Sequence, residues 1–245
     1  NTMEGKSLKP FVMFPYSYAF GKSTKTINYE SLATCLEYMA SKYPNKKAVV
    51  SVHENIEKTF QQLNADANQL ANSLSRVLNI MTGDVVAIMT ANCYNFVVVQ
   101  YACAKIGAII CPINAYYQSS ELEFCLKKVN PKVLFLPSRG SAQEFTVNKI
   151  FDVFAEIGSS LPSKLTNVVL LDGDCENAIT LHFCDLKFYS FYELITMKTE
   201  LSADHINNNS CWSVDADEVS ALYFTSLKQA LKLRFLHEIR GIAFI

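Results

Sequence analysis

Two hydroxyls close a short apolar strand near the carboxy terminus, where the run "DEVSALYFTS" ends on Thr225 and Ser226. A strand ending in Thr-Ser commonly delivers a phosphate-binding loop, because side-chain hydroxyls and the N–H groups of a glycine-rich turn can converge on one anion. The glycines do not follow here. Leu227 opens a Leu/Lys/Arg-rich run whose single glycine, Gly241, comes too late to shape that turn. "GKST" at Gly21–Thr24 resembles the end of a Walker A loop, but that motif needs a glycine five residues earlier, where this chain has Tyr16. His53 beside Glu54 has the composition of an acid/base pair, yet it falls at a strand-to-hairpin turn, where a solvated surface pair is the simpler reading. His182, His205 and His237 lie in separate segments and form no constellation, and Lys127-Lys128 reads as the solvated last turn of a helix. Neither G-x-S-x-G nor G-x-G-x-x-G occurs, so hydrolase and dinucleotide-binding readings have no motif behind them. The eight cysteines, at 35, 93, 103, 111, 125, 175, 184 and 211, show no C-x-x-C pair and no zinc spacing. Several sit inside apolar runs, which predicts buried thiols in a reducing compartment and no metal site.

The elements that would carry these residues follow from the bulk of the chain. Its 245 residues are half apolar, with 22 basic and 23 acidic side chains for a formal charge of −1. That balance is unlike the clustered basic surface of a nucleic-acid protein. The amino-terminal "NTMEGKSLKPFVMFPYSYAF" has neither a basic region before a clean apolar core nor the Arg/Ser bias of a transit peptide. The most hydropathic window, Phe96 to Ile113, carries Gln100, Lys105 and Pro112 and is expected to be a buried helix turning into a buried strand rather than a membrane span.

Strand-like and helical patterns alternate. "KKAVVSVH" (Lys46 to His53) can pair with "EKTF" (Glu57 to Phe60), after which Thr59 offers an N-cap. Phe60, Leu63, Ala67, Leu70, Ala71, Leu74 and Leu78 then recur at three- and four-residue steps, the mark of a helix packed on a sheet. Thr82–Asp84 turns the chain into the unbroken apolar run "VVAIMT", as for a parallel strand covered on both faces. A helix from about Asn95 to Ile106 stops at Gly107. The strand "AIICPIN", a helix "SSELEFCLKKV" capped by Ser119 or Ser120, and the strand "KVLFLPS" follow. A helix near Glu144 to Ile157 and a strand from Asn167 to Gly173 continue the alternation. Residues 174–217 read as a looser connection around one short helix near Tyr192. The expected fold is α/β, a largely parallel sheet flanked by helices.

"SYAFGKS", "TFQQL", "GDVVAI", "QYACAKIGAI", "INAYYQSSELEFCLKKV" and "YFTS" occur in that order over about residues 16 to 226. Each is weak alone, but the ordered series resembles the amino-terminal subdomain of the AMP-forming acyl-CoA synthetases, within the adenylate-forming ligase superfamily. It is most similar to the medium-chain subgroup, whose animal members are mitochondrial. That resemblance implies a mitochondrial protein, with cytoplasm as the other location. It also implies an amino-terminal extension (1–28), an incomplete synthetase subdomain (29–226) and a divergent tail (227–245). Where the subgroup usually has Asn-Pro-Ala-Tyr-Gln, this chain has Asn114, Ala115, Tyr116, Tyr117 and Gln118, which is expected to alter a turn without refolding the domain.

The family's chemistry would be attack of a fatty carboxylate on Mg-ATP to give an acyl-adenylate, then capture of the acyl group by coenzyme A. Fatty acid, ATP, Mg²⁺ and coenzyme A are thus the implied substrates and cofactors of an intact member, with no nucleic acid and no transmembrane segment; a protein partner is not indicated. Thr225 and Ser226 match the first two positions of the ATP phosphate loop and are its remnant, and no catalytic or metal-binding residue is assigned. The family's Gly/Thr-rich loop and downstream domain have no match after Ser226, so the chain as written is expected to bind none of these cofactors and to be inactive, an end arising from splicing, truncation or a mispredicted gene. The competing expectation is a non-catalytic α/β interaction module derived from the ligase. Leu227, Ala230, Leu231, Phe235, Ile239 and Ile242 can share one face of a weak amphipathic helix in the tail.

Overall fold

The structure is a computed structural model that describes residues 24, 30–137, 152, 155–172, 186–197, 218–224 and 242–244. Helix α1 (Leu32–Lys42) is capped by the Ser31 hydroxyl, which accepts from the Thr34 N–H at 3.2 Å. Strands β1 (Lys47–Ser51) and β2 (Ile56–Thr59) form the anticipated antiparallel hairpin, a two-stranded sheet of its own. Thr59 and Gln62 exchange backbone and side-chain hydrogen bonds in a capping box that starts α2 (Phe60–Arg76). The predicted face of α2 is the buried one, with Leu63, Ala67, Leu70, Ala71 and Leu74 all inside.

The main sheet contains β3 (Val85–Ile88), β4 (Ile109–Pro112), β5 (Val133–Leu136), β6 (Asn167–Leu170), β7 (Lys187–Ser190), β8 (Ala221–Tyr223) and β9 (Ile242–Phe244). Its order is β7-β6-β5-β3-β4-β8-β9 and every ladder is parallel. Helix α3 (Tyr94–Ile106), ended by Gly107 at φ 70°, joins β3 to β4. Helix α4 (Ser119–Val129) joins β4 to β5, and α5 (Phe191–Thr196) follows β7.

Alternation along the strands sorts the core into two halves. Val86 and Ile88, Ile110, Val133 and Phe135, and Val169 join α2, α3 and α5 in one cluster. Their neighbours Ala87, Cys111, Leu134 and Leu136, and Val168 and Leu170 pack with α4 in the other. A parallel sheet needs both faces covered, which explains why these strands read as unbroken apolar runs. The thiols of Cys103, Cys111 and Cys125 lie inside this core, unpaired, as the apolar surroundings predicted.

Several local expectations change. Helix α4 is capped by Gln118, whose N–H donates to Glu121 Oε2 at 3.0 Å, not by Ser119 or Ser120; Ser119 is drawn into the helix, where its hydroxyl donates to Glu156. Residues 187–190, expected to be loose, form β7 because Phe188 and Tyr189 find a parallel partner in β6. Helix α1 also went unanticipated. Of the helix expected near Glu144 to Ile157, residues 152 and 155–157 are described and helical; the rest lies outside the described residues. Ile242, placed above on a helical face, lies instead in β9, paired with Ala221 of β8. The turn that lacks its proline is held by Asn114, whose Oδ1 accepts from the Tyr116 N–H at 3.0 Å and whose carbonyl accepts from the Tyr117 N–H at 3.2 Å.

One buried charge joins α1 to α3. Lys105, whose side chain is 4% exposed, donates to Glu37 Oε1 at 2.8 Å, while Glu37 stays 36% exposed. Removing a partner from a buried pair costs more than replacing the buried member with an apolar side chain. Glu37→Ala is therefore expected to lower unfolding free energy by about 3 kcal/mol, the lower end for stranding a buried charge. Lys105→Met should cost clearly less in the same urea titration, and the reverse order would contradict this account.

The buried thiols generate a pH prediction. Burial pushes Cys103 from a thiol's ordinary 9.0 up to about 12. Burial, with a smaller contribution from nearby Cys125, does the same for Cys111, and burial with Glu121 raises Cys125 to about 11. The unfolded chain therefore loses these protons first as pH rises past 9, so stability is full below pH 9 and falls from there toward pH 12, by about 1.4 kcal/mol per unit for each thiol. Between pH 8 and pH 10, Cys103→Ala should lose about 1.4 kcal/mol less than the parent chain in urea unfolding. Equal losses would mean that Cys103 ionises normally in the fold.

Candidate functional site

The sheet topology selects one place for a site. From β3 the chain leaves the carboxyl edge toward the face of α2 and α3, and from neighbouring β4 it leaves toward the face of α4. Where adjacent strands diverge in this way the two loops part and leave a crevice, the usual ligand position in an open α/β sheet. Its walls here are residues 89–93 after β3 and 113–118 after β4. Strand β8 lies on the other side of β4, with Ala221 opposite Ile110, and runs parallel to it. Its carboxyl end therefore lies at the same edge of the sheet. Phe224 packs against the α4-side core; Thr225 and Ser226, the residues singled out from the sequence, lie outside the described residues.

The loop after β3 is held by side chains from elsewhere in the chain. Cys93 is the N-cap of α3 but makes no side-chain cap hydrogen bond. The first free N–H of the helix, on Tyr94, instead donates at 2.8 Å to Glu54 Oε2 from the tip of the β1–β2 hairpin. The Ser51 hydroxyl donates to the same oxygen at 2.6 Å. The Tyr94 phenol donates to Asp66 Oδ2 of α2 at 2.7 Å, while Lys58 of β2 pairs with that carboxylate at 3.3 Å and lies over the Tyr94 ring at 5.1 Å. Burial first, and then the hydrogen bond to Asp66, push the Tyr94 phenol far above its usual range, so it serves as a fixed donor. On the next residue, the Asn95 side-chain amide donates at 2.8 Å to the Leu171 carbonyl beyond β6.

His53 and Glu54 are thereby settled as structural. Their closest approach is 3.9 Å, and the Glu54 oxygen is committed to a helix terminus. Of the other motif residues, Lys127 pairs with Glu123 one turn away on the surface of α4. Among Gly21–Thr24 only Thr24 is described, and it is exposed. His182, His205 and His237 lie outside the described residues.

The crevice loops are nearly neutral. Residues 89–93 and 113–118 supply the hydroxyls of Thr90, Tyr116 and Tyr117 and the amides of Asn92, Asn114 and Gln118, with no lysine, arginine or histidine. Two acidic groups, Glu54 and Asp172, bear on the Cys93 thiol, which burial foremost raises above its ordinary value. A triphosphate needs several converging donors and a cation. These described residues do not form such a cradle, and no cluster among them is suited to a metal ion. No helix among the described residues is long and apolar enough to cross a membrane.

Comparison with known proteins places this arrangement. The family described as AMP-binding enzyme matches residues 36–226. The human (Homo sapiens) medium-chain acyl-CoA ligase ACSF2, mitochondrial, is 32% identical over 156 residues, 64% of this chain and 25% of that protein. The putative acyl-CoA synthetase YngI of Bacillus subtilis is 34% identical over 130 residues, 52% of this chain and 24% of its own length. The crystal structure of the anthranilate CoA ligase AuaEII in complex with anthranoyl-AMP superimposes with a TM-score of 0.60 at 24% identity, covering 81% of this chain and 32% of that one. The chain spans about a quarter of the length of the curated relatives it matches. With a family match that runs from α1 to the Thr-Ser pair after β8 and a parallel sheet shared with adenylate-forming ligases, this chain belongs to the AMP-binding enzyme family.

Proposed function

We propose that this chain is the amino-terminal subdomain of a fatty acyl-CoA ligase that activates medium-chain carboxylates as acyl-adenylates in mitochondria. The observation that supports this reading is the family match over residues 36–226, which takes in the parallel sheet from β3 to β8. Chain length and compartment rest on the names of the relatives it resembles. Within the proposal, residues 29–226 are the ligase scaffold, 1–28 an extension and 227–245 a divergent tail, with Thr225 and Ser226 the first donors toward a phosphate. Fatty acid, ATP with Mg²⁺, and coenzyme A are the substrates of the intact ligase.

The 245-residue polypeptide by itself is proposed not to adenylate. ATP brings about four negative charges, which need a nest of N–H groups and a cation to replace lost water. Residues 227–240 contain no glycine to form such a nest, and the described crevice loops bring no cation. Losing even one preorganised donor to a developing anion costs about 3–4 kcal/mol of barrier, or roughly a hundred- to a thousandfold in rate.

Pyrophosphate exchange dependent on a medium-chain fatty acid tests this directly. The 245-residue chain should give no exchange above background, whereas the same chain continued after Ser226 by the complete remainder of a family member should. Clear exchange by the 245-residue chain would overturn the inactivity, and a silent extended form would overturn the ligase reading.

A further inference from the structure

We propose that Glu54 is a positioning residue: carried on the β1–β2 hairpin, it acts as the N-cap of α3 and thereby sets the loop of residues 89–93 that walls the switch-point crevice. The inference does not depend on the ligase reading, because its readout is the loop itself.

Three observations support it. The residue in the N-cap position, Cys93, offers the Phe96 N–H only a weakly accepting sulfur and makes no cap hydrogen bond of ordinary length, so the helix start lacks the oxygen cap that α1, with Ser31, and α2, with Thr59, possess. The vacancy is filled from 40 residues away, by the 2.8 Å bond from the Tyr94 N–H to Glu54 Oε2, and a carboxylate at that end also meets the positive end of a 13-residue helix. Glu54 is itself held. The Ser51 hydroxyl donates to the same oxygen, and the hairpin tip turns through Asn55 in the left-handed region at φ 53°. The hairpin is anchored independently, since Lys58 of β2 meets Asp66 and the Tyr94 ring, and Ala48, Val49 and Ile56 pack on the core.

A two-stranded sheet outside the main sheet thus reaches over to fix the first turn of the helix that leaves the central strand. Tyr94 is gripped at both ends, its N–H by the hairpin and its phenol by α2. The five residues between Ile88 and Tyr94 then have little freedom, because β3 fixes one end and Glu54 the other. Cys93, half-buried at the end of that loop, reports on it.

The test is thiol labelling of the intact chain with iodoacetamide, located by peptide mass spectrometry, together with amide hydrogen exchange. Glu54→Ala should speed labelling at Cys93 and exchange in residues 94–97 by about five- to thirtyfold, the factor that loss of a typical helix cap produces. Cys35 on α1 should keep its rate. Glu54→Gln retains an acceptor oxygen of the same reach and should restore most of the protection, whereas Tyr94→Phe, which removes only the contact with Asp66, should leave Cys93 as it is. Unchanged Cys93 labelling in Glu54→Ala would overturn the proposal, as would parallel acceleration at Cys35 and Cys93, the sign of general loosening. Should Glu54→Ala fail to fold, Glu54→Asp, shorter by one methylene, is to be read by the same criteria.

Discussion

A parallel sheet buried on both faces is the constraint from which the other features of this chain descend. Each strand must offer apolar side chains to two layers at once, so Val86 and Ile88 go one way and Ala87 and Met89 the other. Crossovers of one hand can then move across the sheet only by placing their helices on opposite faces when they run in opposite directions. Beginning in the middle at β3, stepping to β4 through α3 and back past β3 to β5 through α4 makes a switch point unavoidable. The crevice is a by-product of packing, and its position needs no catalytic residue to explain it.

Packing fixes where the crevice is, but polar contacts fix its walls. Met89, Ile113 and Ala115 anchor the loops to the α4-side core, and directed bonds fix the rest of them. On the β4 side, Asn114 closes its turn with its own side chain, a task a proline can also perform. On the β3 side the bonds are long-range, donated by Tyr94 to Glu54 and Asp66 and by Asn95 to Leu171. A proline restricts the unfolded chain as well as the folded one, whereas a hydrogen bond acts only on the folded state. The turn at Asn114 therefore owes its shape to the surrounding fold.

What sequence reveals and conceals here follows from the range of each interaction. Helix α2 was legible in full, because its buried stripe repeats within one turn and Thr59 and Gln62 are three residues apart. The strands β3 to β6 were legible as apolar runs. Helix α1 and strand β7 were not. The first is short with a mixed face, and the second is a four-residue edge strand whose outermost position, Lys187, is exposed. Residues Ser119 and Ser120 look like caps by composition, but Gln118, whose N–H donates to Glu121, holds that position. His53 and Glu54 drew attention for being adjacent; what matters about Glu54 is a helix 40 residues later, which no local pattern encodes. Thr225 and Ser226 were found through order and resemblance, and their surroundings lie beyond the described residues.

Scaffold and electrostatics separate in this chain. The fold is organised by burial and by carboxylates that neutralise helix starts and buried ammonium groups, as Glu54 and Glu37 do. Phosphate chemistry needs the opposite sign at the crevice: N–H nests and cations. With hydroxyls and amides at residues 89–93 and 113–118 and acids nearby, these walls are suited to framing a neutral or apolar group rather than to drawing in an anion. Walls and charge are separate requirements, and the described loops meet only the first. Strand β8 runs parallel to β4, so its carboxyl end lies at the edge where those walls stand.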